Sequence, residues 1–148
     1  MGLFKFIKTA GEAILKKGDK KEENIEKHIK ERMGSDHVKS IEAKVDDGVV
    51  TLTGVCDSQD TIEKVILLAG NIEGVESVNG DGLKVESGEA GGESEFYTIV
   101  KGDSLWKIAK KYYGDGNKYP VLFEANREVI KDPDLIYPGQ VIRVPSLK

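Results

Sequence analysis

Residues 41–54 read IEAKVDDGVVTLTG. Ile41, Ala43 and Val45 alternate with polar residues, the period-2 pattern of a strand with one buried face. Asp47-Gly48 follows, a dipeptide that accepts the positive φ angles of a two-residue type I′ hairpin turn. Pairing across that turn sets Val45 opposite Val50 and Ala43 opposite Leu52. The apolar residues then meet on one face, so turn chemistry and register agree.

Just past the hairpin, Asp57 or Ser58 can cap a helix. Ile62, Val65, Ile66 and Ala69 form its apolar stripe, with Gly70 as the expected C′ residue past its end. Short β-like stretches are expected at 75–78 and 83–85, with Asn79-Gly80-Asp81-Gly82 as a turn between them. Upstream, Ile25, His28, Ile29, Arg32 and Met33 place a helix over 22–33, stopped at Gly34. Leu3, Ile7, Ala10 and Ile14 are spaced for a further helix over 3–15, interrupted by Gly11. The order through residue 86 is α, α, β, β, α, β, which predicts helices layered on one face of a small sheet.

Residues 86–95, ESGEAGGESE, read as a Gly/Ser/Glu linker. Such a chain spans on the order of 17 Å, short enough to permit docking of what it joins. Beyond it, residues 96–100 alternate as a strand. Asp103 or Ser104 caps a helix carrying Leu105, Ile108, Ala109 and Tyr112 on one face. Gly114-Asp115-Gly116 breaks that helix. Asn117 is expected to cap a second one through Ala125, with Pro120 tolerated in its first turn. Pro138-Gly139 signals a type II turn before a closing strand at 140–144. The expected architecture is therefore α+β with two small domains: residues 1–86, a linker at 87–95, and a βααβ unit over 96–148.

The 148 residues are 39% hydrophobic and 32% charged, with a net charge of −4. Net acidity argues against broad nucleic-acid binding. The charge is uneven: residues 1–33 carry net +3, residues 34–86 net −7, and residues 87–148 none. An acidic middle segment is either a soluble surface, the commoner case, or one that favours a cation. Cys56 is the only cysteine, so it has no internal disulfide partner. Lys5 and Lys8 interrupt the first apolar stretch, unlike a secretory signal, and a cytoplasmic location is expected. The absence of a long heptad seam leads us to expect a monomer. His28 and His37 have no motif partner, and no P-loop, GxSxG or HExxH pattern occurs. An enzyme is not expected.

The second half, YTIVKGDSLWKIAKKYYGDGNKYPVLFEAN followed by LIYPGQVIRVP, resembles a LysM domain. That resemblance implies a groove for N-acetylglucosamine-containing glycans such as peptidoglycan, formed by Gly102, Asp103, Ser104, Leu105, Asn126 and Ile136. The first half resembles a BON domain through VDDGVVTLTG and AGNIEGVESV. The combination, with AGE at Ala10–Glu12 and GNI at Gly70–Ile72, is similar to the small bacterial cytoplasmic potassium-binding proteins. It implies selective, reversible K+ binding by the BON part, with LysM as a supporting partner. Potassium suits neutral carbonyl oxygens, which replace its hydration shell, and helix C-termini offer such carbonyls. Guided by the resemblance, we expect main-chain carbonyls of Ile7, Ala10 and Glu12 to converge with those of Gly70, Ile72 and Val75. The alternatives are a glycan-binding envelope protein and a membrane-surface adaptor using a basic helix at 3–17.

Overall fold

The computed structural model describes residues 3–6, 21–72, 74–86, 95–130, 132, 134 and 136–145. Along them run β1 (Leu3–Lys5), α1 (Lys21–Met33), β2 (Val38–Asp46), β3 (Val49–Cys56), α2 (Gln59–Gly70) and β4 (Ser77–Val85). A second unit follows with β5 (Glu95–Thr98), α3 (Leu105–Tyr113), a 3-10 turn at Gly116–Lys118, α4 (Tyr119–Ala125) and β6 (Val141–Val144). The architecture is α+β, as the sequence predicts.

The hairpin folds in the expected register. Val45 faces Val50 and Ala43 faces Leu52, and the turn residues Asp47 and Gly48 both take positive φ, 44° and 82°. β3 continues through α2 into β4, which lies parallel to β3. β1 closes the sheet antiparallel to β4, giving the order β1-β4-β3-β2. β2 is thus an edge strand, whose outward N–H groups need acceptors. Two carboxylates one helical turn apart on α1 supply them: Glu26 accepts from the Ala43 N–H and Glu22 from the Val45 N–H, both at 2.9 Å. The adjoining stripe of α1 buries Ile25, His28, Ile29 and Met33, and Gly34 ends the helix at φ 80°.

Four expectations change. The stretch at Leu3–Lys5 is a strand rather than the start of a helix. Its signal is the alternation Phe4-Lys5-Phe6: Phe6 is buried, Phe4 half-buried and Lys5 exposed, and the Phe6 N–H extends the pairing to the Glu76 carbonyl at 2.8 Å. The remainder of the expected helix, from Ile7 on, lies outside the described residues, as does the linker at 87–94. The second change concerns β4, which is one strand where two stretches and a turn are expected. Thr51 pairs with Asn79 and Thr53 with Gly82, so the Asn79–Gly82 segment is absorbed as a bulge with one extra residue on β4. A Cβ on Gly80 would stand 2.7 Å from Ile66 Cδ1, so any larger residue there would push the end of that side chain aside.

The third change is in α2, which includes Gly70 as its last residue, with Asn71 as C-cap. Fourth, Asp115 rather than Asn117 makes the cap after α3, accepting from the Asn117 N–H at 2.9 Å, while Ser104 caps α3 through the Lys107 N–H.

α2 also buries far more than its predicted stripe. Gln59, Thr61, Ile62, Glu63 and every residue from Val65 to Gly70 are buried. A helix buried nearly all round must be covered on two sides. The sheet covers one side and the second unit the other: Val129 and Val141 join the same apolar core as Ile62, Val65 and Leu67, and Phe96 stacks on Phe4 with ring centroids 4.8 Å apart. The second unit keeps a smaller core of its own around Ile108, Leu122 and Ile142.

Candidate functional site

α2 ends in the bend that contains three of the predicted carbonyl ligands. The Asn71 N–H closes the last helical bond on the Leu67 carbonyl at 2.9 Å. The carbonyls of Leu68, Ala69 and Gly70 lie past that last helical donor, where a helix carries partial negative charge. The last turn of α2 contains no basic residue to offset that charge. The bend then tightens: the Ile72 carbonyl accepts from the Val75 N–H at 3.1 Å, and Gly74 takes φ 101°. Gly70, Ile72 and Val75 are all buried.

Phe6 brings the N-terminal chain to this bend. Its ring lies on Gly70 so closely that a Cβ there would stand 2.0 Å from the ring. Residue 7, the first of the three predicted N-terminal ligands, follows directly in the chain. Ile7, Ala10 and Glu12 themselves fall outside the described residues.

Polar groups from the second unit grip α2 at both ends. At the N-terminal end the Arg143 guanidinium donates to Glu63 at 2.8 Å and to Asp60 at 3.0 Å, while its Nε donates to the Ala125 carbonyl at 2.8 Å. The Arg143 and Glu63 side chains are only 5% and 4% exposed. At the C-terminal end the Asn71 side-chain amide donates to the Val141 carbonyl at 2.7 Å and accepts from the Val141 N–H at 2.8 Å. Lys64 pairs with Glu128 at 2.8 Å, and Arg32 donates to the Glu128 carbonyl at 3.2 Å. None of Asn71, Glu63 or Arg143 stands out in the sequence reading. Two signals pointed to them: five consecutive apolar residues at Val65–Ala69, and a lone arginine inside the buried strand VIRV.

The predicted glycan residues are placed in two groups. Gly102, with φ 92°, has nothing within 4 Å of the position of a Cβ, and its carbonyl accepts from Lys107 Nζ at 3.0 Å. Asp103 accepts from the Val100 N–H and from the Tyr97 hydroxyl. That hydroxyl bond pushes the Tyr97 phenol up to about 12. Ser104 is spent as a helix cap, Leu105 is core, and Ile136 packs against the same core. Asn126 is fully buried, where it donates to the Leu122 and Arg143 carbonyls and accepts from the Arg143 N–H. It pins β6 to α4.

Cys56 is buried at the end of β3. Burial, and secondarily the charge of Asp57, push its thiol up to about 11, which leaves little of the nucleophilic thiolate at neutral pH. Asp57 itself does not cap α2. It accepts from Thr61 and pairs with His37 Nδ1 at 2.6 Å. Burial raises its pKa, but the hydrogen bonds from Thr61 and His37 and the His37 charge outweigh that and hold the carboxyl below 3.8. A depressed carboxylate contributes stability that is present above its unfolded value and is lost as pH falls through its folded value. Asp57→Ala should therefore cost about 1–2 kcal/mol at pH 7. The deficit relative to wild type should shrink as pH falls below the ordinary aspartate value and through the lowered folded one, as read by urea unfolding across pH.

Residues 21–87 match the BON domain family and residues 97–145 the LysM domain family. Over almost its whole length the chain is similar to the Potassium binding protein Kbp of Escherichia coli O6:H1, with 38% identity across 99% of both chains. An uncharacterised protein of Deinococcus radiodurans is 39% identical over 66% of this chain and 41% of its own length. The Spore coat assembly protein ExsA of Bacillus cereus is 46% identical over 35% of this chain and 8% of its own. Shared partial matches of the last kind follow from a single domain. Full-length identity with both domains in the same order is a stronger relation, and by it the chain belongs to the family of the potassium binding protein Kbp, a BON domain followed by a LysM domain.

Proposed function

We propose that this chain binds K+ selectively and reversibly in the cytoplasm, as a monomeric sensor or buffer of the ion rather than an enzyme. The ligands in this reading are main-chain carbonyls of Ile7, Ala10, Glu12, Gly70, Ile72 and Val75, with the docked LysM unit as support. The observation that carries it is the 38% identity to a potassium binding protein along 99% of each chain. The bend supports it physically. A helix C-terminus with no basic residue in its last turn attracts a cation, and neutral carbonyls replace the shell of a large, weakly hydrated ion. The contact of Phe6 with Gly70 brings the N-terminal strand, as far as residue 6, against the same bend. The net charge of −7 over residues 34–86 raises the local concentration of any small cation without choosing among them.

Calorimetric titration of desalted protein tests the reading. KCl should give a saturable heat, and NaCl should need at least a tenfold higher concentration. Equal responses to the two salts would overturn selectivity. Deleting residues 7–12 removes the proposed N-terminal carbonyls while leaving the β1 residues and Phe6 in the chain, and should abolish the KCl heat. Retention of wild-type affinity would exclude the N-terminal carbonyls.

The LysM match favours a second reading, binding of N-acetylglucosamine-containing glycans at the 102–105 turn, where Gly102 leaves open space. Retention of the protein on insoluble peptidoglycan, abolished by a bulky residue at Gly102, would support it, and free passage would overturn it.

A further inference from the structure

We propose that Asn71 is a positioning residue for the K+ site: its side-chain amide ties the Gly70–Val75 bend to β6, so that ion binding at the bend and docking of the LysM unit strengthen each other. The inference rests on the K+ reading above and adds a named linkage to it.

Asn71 sits within the bend, between Gly70 and Ile72, two of the proposed carbonyl ligands. Its main chain caps α2 through the Leu67 carbonyl, and its side chain leaves the BON unit altogether. The amide donates to the Val141 carbonyl and accepts from the Val141 N–H, at 2.7 and 2.8 Å, and the residue is only 7% exposed. One primary amide thus completes both main-chain groups of the first residue of β6, as a neighbouring strand would. Only a side chain with one donor and one acceptor at this spacing can do so. Aspartate loses the donor and sets a carboxylate against a carbonyl. Alanine leaves both Val141 groups buried without partners, which drives β6 away from the bend. The main chain of residue 71 cannot shift without breaking this pair, so the orientation of the flanking carbonyls depends on the docked strand. Linkage makes the effect reciprocal: whatever factor docking adds to K+ affinity, K+ adds to docking.

The test uses the full chain. In wild-type protein, exchange of the Val141 amide should slow at least tenfold in saturating KCl relative to NaCl. The Ile108 amide, which bonds Ser104 inside the LysM unit, should change less than twofold. Asn71→Ala and Asn71→Asp should bind K+ at least tenfold more weakly, and the gain in melting temperature from replacing NaCl with KCl should shrink. A merely structural role would lower the melting temperature equally in both salts and leave that gain intact, which would overturn the proposal. If neither variant folds, the exchange measurement decides, and uniform slowing or none at Val141 overturns it. A wild-type protein with no KCl heat overturns the K+ reading and this inference together. A wild-type response that Asn71 variants share overturns this inference alone.

Discussion

Gly70→Ala is expected to destabilise the protein by about 3 kcal/mol, the scale of removing a buried phenylalanine from its site. The added methyl would stand 2.0–2.2 Å from the Phe6 ring. No rotamer of alanine avoids that, so the ring must leave its site over α2. Phe6 is only 8% exposed and belongs to the main core, and its N–H anchors the end of β1 on Glu76. The glycine is there for close approach and not for backbone freedom, since Gly70 is not among the glycines at positive φ. A double-mutant cycle separates the two explanations. With Phe6→Ala already in place the clash is gone, and Gly70→Ala should become neutral or stabilising by up to about 1 kcal/mol, the helix preference for alanine over glycine. If Gly70→Ala costs the same in both backgrounds, the ring contact is not the reason for the glycine. The same displacement takes Phe6 off the bend, so the single variant should also lose its heat of KCl binding.

Glu63→Ala is expected to cost about 3–5 kcal/mol, because it leaves a buried arginine without its nearest counter-charge. Asp60 also faces Arg143, but its side chain is 67% exposed, so water screens what it can offer. The Nε bond to the Ala125 carbonyl keeps the guanidinium in place, which prevents it from escaping to solvent without disturbing β6. Replacing both partners by methionine removes the charge along with its partner and should recover most of the loss, since a well-packed apolar pair can match a buried ion pair. Urea unfolding of the two variants checks this. A Glu63→Ala penalty below about 1 kcal/mol, the range of an exposed pair, would show that water reaches the ion pair. Because its two sides come from different domains, an unfolding transition that splits into two phases is the expected signature of Glu63→Ala. The wild type should unfold in one.

Local chemistry made part of this molecule legible. The hairpin register follows from strict alternation and from one Asp-Gly turn, both read within fourteen residues. The Ser104 cap, the Gly114 break and the Pro138-Gly139 turn are equally local, and the order of elements in the LysM unit follows from them. Where the reading went astray, two periods competed over few residues. The segment LFKF fits one helical turn or one short strand, and only the exposed edge of β4 makes it a strand. In the Asn79–Gly82 segment two glycines signal a turn, yet pairing with β3 holds them in the sheet as a bulge.

The candidate site divides along the same line. The two units, their order and the glycine-marked bend after α2 are readable from neighbouring residues, because backbone conformation and a single buried face are local properties. Long-range packing accounts for why Gly70 is glycine, why α2 is covered on two sides, and how Asn71 and Glu63 meet partners 70 and 80 residues away. A buried polar side chain must find its complement or bear the cost of desolvation. Which complement it finds depends on how two separately patterned units dock, and no local period encodes that.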